Sequence, residues 1–249
     1  NAGLPAWRPL YQQPDAGAAL ALALNTPFAY PVGSRVVYSD IGLILLGTAI
    51  QRLSGQTLDA VIAARVTHPL GLNHTRYLPT GQARSLVSNV APTEFCQWRQ
   101  RRIVGEVHDE NAWRLGGISA HAGLFANAAD VARFGQMFLD DGRPLLKPET
   151  VAEMTRLQSE DGATRRGLGF VLWSPDPEGS GNPFSPRAFG HTGFTGTSLW
   201  IDPQRELVVA LLTNRVYPGR AQGGIGPLRV AFHRAVVAAV DAPALSLAI

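Results

Sequence analysis

Lysine is almost absent from this chain. Of its 22 basic residues only Lys147 is a lysine, so chemistry that needs an internal amine must use that residue or obtain one from another segment. Cysteine is as scarce. Cys96 stands alone, which excludes a disulfide within the chain and any cysteine-rich zinc site. No neighbouring sequence feature would activate its thiol, so it reads as a small buried hydrophobe. Long apolar runs are missing too: the longest, Ile41 to Ile50, contains Gly42 and Gly47 and is too short to span a bilayer. Charged residues make up 16% of the 249 and the net charge is only +3, which argues against a nucleic-acid binder with one basic face. The single dense basic cluster, Arg99, Arg101 and Arg102 beside Trp98, reads as a solvated loop, with contact to an acidic substrate or polymer as the alternative.

What is present is a compact globular composition, 45% hydrophobic, long enough for one large domain or two intimate ones. The first half reads as helices: Asp15 to Leu24, Ile41 to Leu53, a segment after the candidate cap Thr57 that stops before Pro69, one from Ala129, and one from Pro148 to Met154. Apolar residues lie almost all round Ile41 to Leu53, so that helix is expected to be central and buried, closing at Gly55. Ala83 to Gly117 shows no period and reads as a long irregular excursion. Strands are expected at Gly167 to Trp173, Thr195 to Ile201 and Leu207 to Thr213, the last two joined by Asp202-Pro203-Gln204-Arg205. A helix over Leu228 to Val240 follows. Helices, then antiparallel strands, then a last helix predict an α+β fold. The expected organisation is a mainly helical region, 1–160, and a strand region, 161–249, forming one intimate catalytic unit.

Three stretches stand out: PVGSRVVYSDIGLILLG, GGISAHAGLFANAADVARFGQMFLDDG and GHTGFTGTSLWIDP. In this order and spacing they resemble the serine β-lactamase-like family, which includes class C β-lactamases, D-alanyl-D-alanine carboxypeptidases and related esterases. Glu106 to Ala112, EVHDENA, looks most like the 4B type of penicillin-binding protein. The resemblance runs from Asn1 to about Val240. It implies the serine β-lactamase/transpeptidase fold and acyl-enzyme hydrolysis: a serine attacks the carbonyl, a lysine and a tyrosine move its proton, and backbone N–H groups hold the oxyanion. By position Tyr38 matches the proton-shuttling tyrosine, and Asp40 stands where asparagine is usual. His191-Thr192-Gly193 matches the Lys-Thr-Gly strand, and Phe194 would supply an oxyanion N–H. Thr192, Gly193 and His108 are the candidate substrate contacts. An ionised Asp40 can only accept hydrogen bonds, so it should hold a lysine as an ion pair and shift proton abstraction toward Tyr38.

Each of these residues has a plainer reading. Tyr38 alone could be a tyrosine whose hydroxyl satisfies a buried acceptor, and His191 alone a structural histidine. Gly190 and Gly193 favour a site, because they permit close approach to the backbone. His108, Asp109 and His121 invite a metal reading, but their spacing fits no helical zinc motif, and hydrogen bonds that pin the excursion are the better account. No metal or other cofactor is implied. Ser119, in Gly-Ile-Ser-Ala-His, only approximates the G-x-S-x-G elbow and reads as a loop serine. Its use in an unrelated α/β-hydrolase would require a parallel sheet.

No serine here has a lysine three residues later, and Pro144 holds that offset before Lys147. Asn1-Ala2-Gly3-Leu4-Pro5 resembles the turn that follows the family's serine helix. The nucleophile is therefore expected on an N-terminal segment absent from this chain, either a nicked piece that stays bound as a partner or a part that was never made or included. The substrate would be a D-amino-acid peptide, a β-lactam or a small ester, and the resemblance implies extracytoplasmic work. The competing possibility is a catalytically silent module that binds cell-wall peptides.

Overall fold

A computed structural model describes residues 2–81, 89–221 and 223–242. The order of elements is α1 (Ala16–Leu24), α2 (Asp40–Ser54), α3 (Leu58–Ile62), β1 (Arg76–Tyr77), β2 (Phe95–Cys96), β3 (Arg101–Arg102), α4 (Glu110–Arg114), β4 (Leu124–Phe125), α5 (Ala128–Leu139) and α6 (Pro148–Thr155). Then come β5 (Ser159–Asp161), β6 (Thr164–Arg166), β7 (Val171–Leu172), β8 (Phe189–Thr192), β9 (Ser198–Asp202), β10 (Leu207–Leu211) and α7 (Ile225–Asp241). The α+β expectation holds. β5 to β10 form one six-stranded sheet in the order β10-β9-β8-β7-β6-β5, and every pairing in it is antiparallel. That removes the α/β-hydrolase alternative.

Helix limits follow from their caps. The Asp15 carboxylate accepts from the Ala18 N–H and opens α1, Ser39 does the same for Gly42 in α2, and Asn127 for Asp130 in α5. Gly55 ends α2 at φ +65°, a conformation that favours glycine. α3 runs on into a π-turn, Ala63–Thr67, short of Pro69.

The strands depart from expectation at their ends. β9 starts at Ser198, not Thr195, because residues 193–197 close a tight turn in which the Gly193 N–H donates to the Thr197 C=O at 2.8 Å. Only Val171 and Leu172 of the Gly167-to-Trp173 stretch are paired. The β5–β6 hairpin was not foreseen. Its strands, Ser-Glu-Asp and Thr-Arg-Arg, are polar and give no apolar alternation, although Asp161-Gly162 is a good turn pair and Gly162 has φ +58°.

The two faces of the sheet are covered by different helices. On one face Met137 and Phe138 of α5 pack with Phe170, Phe189 and Ile201. On the other, Val237 of α7 packs with Phe184, Ala188, Trp200 and Val209. α1 and α2 share a third cluster built from Leu10, Ala19, Ala23, Ile41 and Ile44. α2 is not buried all round as its composition suggests. Leu46 and Leu53 are 55% and 90% exposed, and β10 is the outermost strand on its side of the sheet. Among the described residues no helix is long and apolar enough to cross a membrane.

The excursion is more ordered than its sequence suggests, with the β2–β3 hairpin and α4 inside it; Ala83 to Ser88 lie outside the described residues. Cys96 is buried. The arginine cluster is not a solvated loop. Arg99 is buried, its guanidinium 5.8 Å from the Trp98 ring and 5.4 Å from that of Trp113, and it donates to the Val107 and His108 carbonyls. Aromatic faces and backbone acceptors replace the water that such a charge would otherwise need.

One glycine decides how closely the central strands approach. A Cβ at Gly190 would stand 2.1 Å from the Leu199 carbonyl oxygen and 2.8 Å from the Trp200 ring. The space is used by β9, not kept for a ligand. Gly190→Ala should therefore destabilise the protein by about 3 kcal/mol through overpacking, read as a lower urea midpoint at unchanged m-value. An unshifted midpoint would contradict this packing.

Candidate active site

Tyr38 lies just ahead of α2, and its neighbours are fastened to the start of the chain. The Ser39 hydroxyl donates to the Pro5 C=O at 2.7 Å and accepts from the Gly42 N–H at 3.1 Å, while the Asp40 N–H donates to the Ala6 C=O at 2.9 Å. Asp40 thus becomes the first residue of α2, where the helix dipole favours a carboxylate. Half-exposed, the Tyr38 ring lies 5.6 Å from that of His191 on β8. The two residues singled out from separate motifs, 153 positions apart in the chain, meet.

A third residue joins them that the sequence did not reveal. Arg166 ends β6; the register Arg166–Val171–Gly190 across β6, β7 and β8 carries it to the neighbourhood of His191. Its guanidinium lies 5.4 Å from the Tyr38 ring centroid, and its Nη1 is 3.1 Å from His191 Nε2. The other ring nitrogen, Nδ1, is 2.8 Å from the Thr192 carbonyl oxygen. A carbonyl can only accept and a guanidinium can only donate, so His191 is the neutral tautomer with its proton on Nδ1. Burial, together with the Arg166 charge and against the Thr192 hydrogen bond, holds the His191 pKa below its ordinary value. Three strands had to pair before this contact existed; only the Asp-Gly turn hinted at it.

Thr192 and Gly193 lead from β8 into the tight turn. A Cβ at Gly193 would stand 2.2 Å from Thr197 Oγ1, so a larger residue there would require that hydroxyl to turn away. Phe194 projects from it, more than half exposed. Its C=O accepts from Arg215 Nε at 2.7 Å, and the same guanidinium lies 4.6 Å from its ring centroid. His108 packs its ring 5.7 Å from that of Phe194. His108 Nδ1 pairs with the Thr93 hydroxyl at 3.0 Å, while its Nε2 is buried without a hydrogen bond, 3.8 Å from Glu94 Oε1. His108 is thus placed beneath Phe194, with both ring nitrogens turned to the excursion.

The remaining polar cluster lies behind Asp40. Asp109, the N-cap of α4, accepts from His121 Nε2 at 2.9 Å, and His121 Nδ1 lies 2.7 Å from the Ser119 hydroxyl. The order of groups is that of a serine–histidine–aspartate triad, but Ser119 is only 6% exposed. Together with the Ala112 N–H bond to Asp109, the chain fastens α4 to the 119–121 loop. Burial opposes ionisation of Asp109, yet the His121 hydrogen bond and charge hold its pKa below the usual value. Asp40 moves the other way, raised by burial and by repulsion from Asp109 against the pull of His121. Tyr38 is raised as well, by burial first and then by the Asp40 carboxylate.

The β-lactamase family profile matches residues 1–230. The chain belongs to the β-lactamase family. A putative D-alanyl-D-alanine carboxypeptidase of Escherichia coli K12 is 35% identical over 225 residues, 83% of this chain and 51% of that protein; the chain spans about half the length of the curated relatives it matches. Among solved structures, a β-lactamase of Mycobacterium bovis superposes with a TM-score of 0.60 at 26% identity, covering 86% of this chain and 68% of that one. A penicillin-binding protein of Bacillus halodurans does so with 0.66 at 17%, covering 95% and 69%. The fold is that of serine β-lactamases and transpeptidases.

Partly or fully desolvated histidines give this family member a definite acid response. His108, His191 and His233 all have pKa values lowered first by burial. Below the ordinary histidine value of about 6.5 the unfolded chain therefore binds more protons than the folded one, and stability falls as pH falls. Denaturation midpoints should drop between pH 7.5 and pH 5.5, above the range where the depressed carboxylates Glu94, Glu106, Asp109 and Asp202 add their own loss. A midpoint constant over that interval would contradict neutral, desolvated imidazoles.

Proposed function

We propose that this chain carries the proton-transfer and oxyanion side of a serine hydrolase that works through an acyl-enzyme and removes the terminal residue of a peptide ending in a free carboxylate, with D-alanyl-D-alanine peptides as the substrate class. The observation that carries the reading is the grouping of Tyr38, His191 and Arg166. The names of the relatives favour the same substrate.

Charge in the site is divided. Arg166 and the neutral His191 stand on the sheet side of Tyr38, and Asp40 and Asp109 act on it from the helical side. A substrate carboxylate fits the first side: Arg166 supplies N–H donors and a charge that does not titrate near neutrality. An ammonium fits the second. With the Asp40 and Asp109 carboxylates adding to burial in raising its pKa, Tyr38 keeps its proton and is a poor base. A lysine beside Asp40 would offset them and bring the phenol pKa down. Such a lysine, and the serine three residues before it, come from a segment outside these 249 residues, since the only lysine here is Lys147.

The steps then balance. The serine oxygen adds to the peptide carbonyl as its proton passes to the Tyr38–lysine pair, and the carbonyl π electrons move onto oxygen, facing the Phe194 N–H. Collapse expels the terminal amine, which takes that proton. Water repeats the addition at the ester, releasing the shortened peptide and the serine. Asp40 in place of asparagine offers no amide donor to a β-lactam side chain, which makes strong recognition of that amide less favourable.

In the complete enzyme Tyr38→Phe should reduce kcat roughly 10²–10⁴-fold with little change in product binding; retained turnover would remove Tyr38 from the mechanism. Arg166→Ala should raise KM for a carboxylate-ended peptide by about 10–100-fold, the worth of a charged hydrogen bond. A neutral ester analogue should be hydrolysed as before; equal losses on both would refute the carboxylate role. The 249-residue chain by itself should take up no fluorophosphonate or fluorescent penicillin. A stoichiometric adduct at Ser119 would transfer the chemistry to the Ser119–His121–Asp109 chain.

A further inference from the structure

Arg229 is a buried charge with no evident reason to be one. It lies in α7, 8% exposed, and among the described residues no carboxylate is paired with it. Its acceptors are two backbone oxygens: Nη2 is 2.7 Å from the Gly193 C=O and 2.7 Å from the Thr197 C=O, while Nε is buried without a partner. Burying a guanidinium without a counter-charge is costly. Two carbonyls at the ends of one five-residue turn are modest compensation if closing the turn were the only result, because the Gly193 N–H to Thr197 bond already closes it.

The Gly193 carbonyl belongs to the same peptide group as the Phe194 N–H. In a planar trans peptide the two point in opposite directions. α7 covers the face of the sheet that bears Ala188 and Trp200. His191 has the parity of Phe189, whose ring faces α5 on the other side. The Gly193 oxygen, which also accepts from the Gly196 N–H at 3.1 Å, is drawn toward α7, and the Phe194 N–H is therefore turned toward the face where His191 meets Tyr38. No acceptor among the described residues takes that N–H. A charged donor on the carbonyl also polarises the peptide and makes its N–H a stronger donor.

We propose that Arg229 is a positioning residue for the oxyanion hole: from the far side of the sheet, its guanidinium orients and polarises the Gly193–Phe194 peptide so that the Phe194 N–H meets the negative oxygen of the tetrahedral intermediate. The proposal rests on the reading of Phe194 as an oxyanion donor. It differs from a structural clamp in one respect. The N–H is needed most when charge has developed on the oxygen, so loss of Arg229 should affect the transition state and spare the bound substrate.

The test is made in the complete, serine-bearing enzyme with Arg229→Met and Arg229→Lys. Arg229→Met should lower kcat roughly 10–100-fold, less than the 10²–10³ of deleting an oxyanion donor outright, with KM within about threefold. Affinity for a boronic acid that mimics the tetrahedral adduct should fall by the same factor as kcat. Arg229→Lys keeps a cation near the Gly193 oxygen and should recover a large part of both; it carries the test if the methionine variant does not fold. A folded Arg229→Met enzyme with unchanged kcat and boronate affinity would overturn the proposal, as would a Lys variant no better than Met or an increase confined to KM. Replacing the Phe194 amide by an ester, which deletes the N–H, tests the underlying reading separately. If that replacement leaves kcat intact, Phe194 is not the donor; if it lowers kcat while Arg229→Met does not, the reading stands and only the role of Arg229 fails.

Discussion

The closeness of β8 and β9 governs nearly everything at the candidate site. Gly190 lets the Leu199 carbonyl and the Trp200 ring come within distances that no side chain would allow, and Gly193 leaves room for the Thr197 hydroxyl in the turn that follows. Strands that tightly paired leave His191 one orientation, with Nδ1 on its neighbour's carbonyl, and leave the 193–197 loop short enough for two arginines from different parts of the chain to hold it. Were the turn looser, neither the tautomer of His191 nor the direction of the Phe194 peptide would be defined.

Arginine does the work at this site that lysine would do in a more ordinary composition. Arg166 sits against an imidazole and a phenol, Arg215 against Phe194, and Arg229 behind Gly193. A planar guanidinium can stack on a ring and donate in its own plane at once, and it stays charged when buried, where an ammonium would tend to give up its proton. The same property explains the excursion: Arg99 lies among Trp98, Trp113 and two backbone carbonyls and still carries its charge inside the protein.

Local signals in the sequence were more dependable than long-range ones. The stop at Gly55 is written in neighbouring residues and the α+β order follows from the succession of periods, but the one cap singled out, Thr57, opens α3 without a side-chain bond, while Asp15, Ser39 and Asn127 do cap. Tyr38 and His191 were legible because each sits in a stretch with a family pattern. Arg166 was not, since its strand is polar and its position depends on the register of three strands. Arg229 sits in no motif that would mark it out on its helix. Ser119, His121 and Asp109 were each visible, but not their hydrogen-bonded order. The exposure of Leu46 and Leu53 was hidden for the opposite reason: an apolar residue states a preference for burial but not what is there to bury it.

The solitary cysteine gives the protein an internal reporter. Cys96 is 2% exposed at the end of β2, its sulfur accepting from the Arg99 N–H, one residue from the Trp98 side of the arginine cluster. With no other thiol in the chain, alkylation requires an opening that exposes this one buried sulfur. The rate of thiol labelling is then a direct clock for the opening of the excursion that carries His108 and Asp109, readable without adding a probe to the molecule.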